Sequence, residues 1–158
     1  MTNFLSMKTL IPSVLFGSLL TACSTFEPDR YACSSRVTSY AETARATLQT
    51  QINPQAVEVR FNGVSASCYD EGTSVVMELA IGLKVARDTD EGRDVSPVDV
   101  PIFVATISGD DTVLAQESFV YTMQFTDGLS VIYPLVRREL KIPQDGRVIL
   151  NLTPEVIQ

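Results

Sequence analysis

The sequence holds no histidine and no tryptophan, and only three of its 158 residues are cysteine. Without histidine the commonest general base and the commonest metal ligand are both missing, so a His-based triad or zinc centre is excluded. The cysteines form no CxxC pair, which removes dithiol redox chemistry. Positive charge is scarce: 12 Lys+Arg stand against 19 Asp+Glu, for a net charge of −7. Binding to nucleic acid draws on clustered cations, so nucleic acid is not an expected partner. What is present is apolar: 45% of residues are hydrophobic, enough to exclude a disordered chain and to fill one core in a single domain.

The N-terminus reads as an address. Lys8 is the only charge in residues 1–22, and Leu10 to Leu20 form an apolar run too short to span a bilayer. Pro12 and Gly17 inside that run, and its lack of a polar face, argue against a core helix. It ends in Leu20-Thr21-Ala22-Cys23, which looks like the lipobox of a bacterial lipoprotein signal. Small Thr21 and Ala22 suit a narrow peptidase cleft, and Cys23 supplies the sulfur for a lipid. Residues 1–22 are therefore expected to be a signal-peptide helix, starting at Met1 or Met7, with residues 23–30 as a lipidated tether. Ser24 after the lipid site resembles the sorting signal for the outer membrane. Acyl chains contribute about 0.8 kcal/mol per buried CH₂, so a multiply acylated Cys23 anchors stably without a transmembrane helix. Removing residues 1–22 leaves 136 residues with a net charge of −8. Cys33 and Cys68 then remain as an even pair in an oxidising compartment, and a disulfide between them is expected.

Residues 31–158 carry period two. Val57, Val59 and Phe61 alternate with polar residues, and apolar positions continue at Val64, Ala66 and Cys68. The longest case is Val75, Met77, Leu79, Ile81, Leu83 and Val85, set against a mixed line containing Glu78 and Lys84. That is a strand half buried in a sheet; helical spacing cannot produce it. Val98 to Ile107 is apolar on both parities, as in a central strand, with Pro101 near its start. Gly109-Asp110-Asp111 reads as a hairpin connection, Asp127-Gly128 as a two-residue hairpin, and Pro143 to Gly146 as a turn. Pro134 interrupts Leu129 to Ile142 and implies a bulge or an edge. Val37 to Gln51 fits a helical stripe or a strand face, and the β-rich remainder favours a strand. The expected fold is all-β: an antiparallel two-sheet sandwich of immunoglobulin-like architecture, with a small barrel as the alternative.

These features together resemble a family of small uncharacterised lipoproteins of alphaproteobacteria. The resemblance rests on Leu20-Thr21-Ala22-Cys23, Cys33 soon after it, and Cys68-Tyr69 before a long alternating strand. Val100-Pro101-Ile102-Phe103-Val104-Ala105, Gln116-Glu117-Ser118-Phe119 and Ile142-Pro143 extend it. The charged stretch Asp88 to Asp94 departs from the family pattern. The family implies an envelope-anchored β-domain and no particular activity.

Few residues offer chemistry. Asp88, Asp90 and Asp94 around Gly92 resemble a calcium loop, yet Gly92 falls one position early for an EF-hand and Arg93 adds a cation. A solvated loop explains the stretch more simply. No serine has a partner base, since no His exists and neither Lys84 nor Lys141 completes a Ser-x-x-Lys pattern. A carboxylate pair of the glycosidase kind would have to be assembled in space. Arg137-Arg138 is a local basic spot, read as a solvated strand end, the alternative being contact with phospholipid or peptidoglycan carboxylates. Phe103, Phe119, Tyr121, Phe125 and Tyr133 lie on strand faces and are assigned to core packing. The expectation is a non-enzyme without cofactor, lipid-anchored in the outer membrane with its domain in the periplasm. It would dock there on another envelope protein, the alternative being a calcium or small-molecule binder using Asp88 to Asp94.

Overall fold

The computed structural model describes residues 27–52, 55–88, 96–126 and 128–153; the expected signal peptide and Cys23 lie outside these. The described residues form ten strands and one 3₁₀ turn, and include no helix long enough to cross a membrane. The strands are β1 Tyr31–Ala32, β2 Val37–Thr38, β3 Arg45–Gln49, β4 Ala56–Glu71 and β5 Ser74–Arg87. They continue as β6 Val98–Ile107, β7 Val113–Met123, β8 Val131–Ile132, β9 Leu135–Pro143 and β10 Arg147–Asn151.

Two sheets stack face to face. In the first, the long β4 and β5 pair antiparallel along their whole length. The outer edge of β4 is shared by β1 and β3, and that of β5 by β8 and β9. The second sheet runs β2-β10-β6-β7. It is mixed rather than purely antiparallel, because β2 lies parallel to β10. A sandwich of the expected kind results, and no barrel closes.

The alternation found in the sequence dictates which face is buried. Val75, Met77, Leu79, Ile81, Leu83 and Val85 are all within 2% of complete burial. They meet Val98, Val100, Ile102, Val104 and Phe125 from across the sandwich, with Phe119 and Tyr121 packed against the same cluster. Leaving any one large aliphatic exposed would forgo about 1.5–3 kcal/mol, which fixes the register. Among the described residues the core cluster is drawn from residues 33–152.

The connections differ from expectation in three places. Residues 37–51 are neither a helix nor one strand. β2 joins one sheet, β3 joins the other, and the bend between them is held by Thr43 Oγ1 donating to Asn151 Oδ1 at 2.6 Å. Asp127-Gly128 makes no hairpin: β7 belongs to the second sheet and β8 to the first, so the chain crosses the sandwich there. Asp127 itself lies outside the described residues, while Gly128 takes the positive φ of 79° that favours glycine. The hairpin that does form on a two-residue loop is β4–β5, where Glu71 pairs with Ser74. Gly72 at φ 64° occupies the first central position, as a type II′ turn requires. The Gly109-Asp110-Asp111 hairpin between β6 and β7 forms as expected.

A bulge in β4 sets the shape of the first sheet. Phe61 pairs with Leu83 and Gly63 with Gly82, so Asn62 is an extra residue. The core-facing parity therefore switches from Val57, Val59 and Phe61 to Val64, Ala66 and Cys68. Gly63 adopts φ 132°, and a Cβ on Gly82 would stand 3.1 Å from the Gly63 carbonyl oxygen. On the other side of β5 the same level is broken at Pro134, between β8 and β9. The expected irregularity at Pro134 is thus one end of a line that crosses the sheet.

Candidate functional site

Cys33 and Cys68 form a disulfide with a Cα–Cα distance of 5.9 Å. Both are buried, and the bridge ties the segment that follows β1 to β4. Of the calcium-loop candidates, Asp88 is exposed at the end of β5; Asp90 and Asp94 lie outside the described residues. Arg137 and Arg138 part company. They sit in mid-strand, opposite Ala80 and Leu79 respectively, so they point to opposite faces of β9. Arg138 occupies the core-facing line at the sheet edge, with its guanidinium 5.1 Å from the Phe119 ring centroid and 3.9 Å from Glu117. A cation on that line discourages edge-to-edge pairing of β9.

The outer face of the first sheet carries most of the free polar chemistry, and its two ends differ. At the entry end Arg30 pairs with Glu78 and lies 5.4 Å from the Tyr69 ring, while Lys141 meets Glu71 at 2.7 Å. The Arg30 guanidinium holds the Glu78 carboxyl below its ordinary range and is itself raised by that bond. On the other parity of β4, Tyr31, the register partner of Cys68, donates to Asp70 at 3.1 Å; partial desolvation first, then that bond, pushes its phenol up.

Beyond the bulge line the cations stand in register with one another. Arg45 is the register partner of Arg60, and Arg60 of Lys84, so three cations stand side by side on one face. Strand spacing of about 4.8 Å puts the whole row within about 10 Å. Among the described residues none of the three faces a carboxylate at ion-pair distance, whereas Arg30, Arg138, Lys141 and Arg147 each do. Ala86 and Thr47 are short, and with Glu58 they leave a shallow depression of about 240 Å³ beside the row. The β8 and β9 pairings with β5 share one register, which sets Tyr133 level with Lys84. Tyr133 is 63% exposed and Leu135, opposite Gly82, 52% exposed. Tyr133 is therefore not the core residue it was expected to be: its register sets it on the outer face with Lys84, while its neighbour Ile132 packs against the core. Phe103 is half-buried outside the main core, while Phe119, Tyr121 and Phe125 pack as expected.

The row was not visible in the sequence, since its members come from three strands whose register no local pattern reveals. The one available signal was the placement of Arg60 and Lys84 on the polar parity of neighbouring strands. Comparison with family models, with curated proteins and with solved structures found no match.

Proposed function

We propose that this protein is a lipid-anchored component of the bacterial outer membrane, its sandwich facing the periplasm as a non-enzymatic docking module for another envelope component. The observation that supports it best is the cysteine pairing. The Cys33–Cys68 disulfide suits an oxidising compartment, and of the three cysteines it leaves Cys23, at the lipobox, for the lipid. The seven peptide links from Cys23 to Arg30 span at most about 25 Å, so an anchored domain stays close to its membrane. The resemblance to small alphaproteobacterial lipoproteins agrees with this reading. Metabolic labelling with a palmitate analogue tests it: the wild-type chain should take up label and lose its signal segment, and Cys23→Ala should do neither. Labelling of Cys23→Ala, or none of the wild type, would overturn the anchor. In-situ crosslinking that recovers no envelope protein would overturn the docking role.

A further inference from the structure

We propose that the far half of the first sheet's outer face rests directly on an anionic lipid surface, with Arg45, Arg60 and Lys84 taking headgroup phosphates while Tyr133 and Leu135 enter the interfacial layer. Like charges directly opposite one another on a sheet are destabilising, and no carboxylate among the described residues stands at ion-pair distance to offset this row. Arg30, Arg138, Lys141 and Arg147 each meet a carboxylate, Glu78, Glu117, Glu71 and Asp111 in turn, which the three cations of the row do not. Two guanidinium forks and an ammonium offer donors and no acceptor, which is the complement of phosphate oxygens. Glu58 is the acidic residue lining the adjoining depression.

The apolar neighbours decide between a free phosphate and a lipid. A soluble phosphate offers nothing to Leu135 or to the ring of Tyr133, both more than half exposed. At a bilayer surface tyrosine has one end in the apolar layer and the other in water, where it is favoured. The net negative charge of the chain does not forbid the contact. Screening confines each charge to about 8–10 Å at moderate salt, so the membrane senses the local row and not the distant carboxylates. The contact uses the envelope reading only for the presence of a membrane. It is also geometrically compatible with a lipid on Cys23, because Arg30 is bound to Glu78 on this same outer face.

The test uses a chain beginning at Ser24, which keeps every residue of the described core cluster and both bridged cysteines but not the lipid site; failure of the anchor reading leaves it untouched. Because the sequence has no tryptophan, Tyr133→Trp supplies a single reporter. Its emission should shift to the blue with phosphatidylglycerol-containing vesicles and stay put with pure phosphatidylcholine. At about fivefold per cation, the triple variant Arg45→Gln, Arg60→Gln, Lys84→Gln should partition about 100-fold more weakly. The matched triple Arg36→Gln, Lys141→Gln, Arg147→Gln has the same charge change at residues engaged elsewhere and should lose less than about fivefold. Both triples are checked for an intact disulfide and an unchanged far-ultraviolet dichroism. Equal losses in the two triples, no preference for the anionic vesicles, or an unshifted emission from the Tyr133→Trp reporter would overturn the proposal. So would full displacement from vesicles by inorganic pyrophosphate, which would make the row a soluble-phosphate site.

Discussion

The two ends of one sheet face differ in how their charges are compensated although the same strands, β4 and β5, run through both. At the entry end the charges in contact are opposite, Arg30 with Glu78 and Lys141 with Glu71, and the one like pair in register there, Glu78 opposite Glu139, has Arg30 bound to Glu78. At the far end like charges face each other across three strands, Arg45 to Arg60 to Lys84. The buried face beneath is uniform, a continuous apolar line from Val75 to Val85. Burial therefore specifies one side of a strand tightly and leaves the other free to carry charge in either arrangement. Where the arrangement opposes stability, its reason lies outside the fold. The bulge at Asn62 and Gly63 marks the boundary, and the disulfide lies wholly on the entry side.

The largest expected effect comes from cutting that staple. Cys33→Ala with Cys68→Ala opens a loop of 35 residues, which on the chain-entropy argument costs about 4 kcal/mol. Measured by urea unfolding this is a global loss, but hydrogen exchange should show it unevenly. Amides of β1 and of Ala66 to Tyr69 should exchange faster than those around Arg60 and Lys84. Uniform acceleration would mean the two ends are one cooperative unit.

Leu79→Ala comes next. Leu79 is fully buried on β5 midway between the ends, and truncation should cost about 2–5 kcal/mol. Glu78→Ala, one residue away on the other face, should lower the unfolding midpoint far less. Equal effects would put the strand in the wrong register and dissolve the distinction between its faces. Gly63→Ala tests the boundary itself. A φ of 132° strains any residue with a Cβ, so the loss should be about 1–3 kcal/mol. A neutral outcome would show that the bulge is relaxed and does not divide the sheet.

How much of this was legible in the sequence depends on the range of the interaction. The six alternating apolar residues of β5 announced their own burial, because strand period and burial are the same local fact. The disulfide was legible because excluding Cys23 left a single pairing. The bulge escaped the sequence reading, in which the alternation simply runs on from Phe61 to Val64, although that three-residue step is a change of parity that an unbroken strand cannot carry. The Asp127-Gly128 expectation failed because turn chemistry states how sharply a chain reverses, not which sheet receives it. The cationic row was illegible for a related reason. Arg45, Arg60 and Lys84 become neighbours only through the pairings of β3, β4 and β5, which are set by packing of the opposite face.

The smallest effects give the sharpest test of the comparison, since they differ in sign. Arg60 sits between two cations, so Arg60→Gln removes two like-charge oppositions and should stabilise the domain by about 0.2–1 kcal/mol at low salt. Lys141 is exposed but meets Glu71 at 2.7 Å; Lys141→Gln removes an attraction and should cost up to about 1 kcal/mol. Both changes delete one positive charge from an acidic chain, so any effect of net charge alone is common to the two and cancels in their difference. Added salt should shrink both shifts toward zero, because each is a surface Coulomb effect screened within about a Debye length. Urea midpoints moving in opposite directions at low salt and converging at high salt would establish that the far row is held against the stability of the fold. Movement in the same direction would mean that Arg60 is compensated where it stands and that the two ends do not differ in kind.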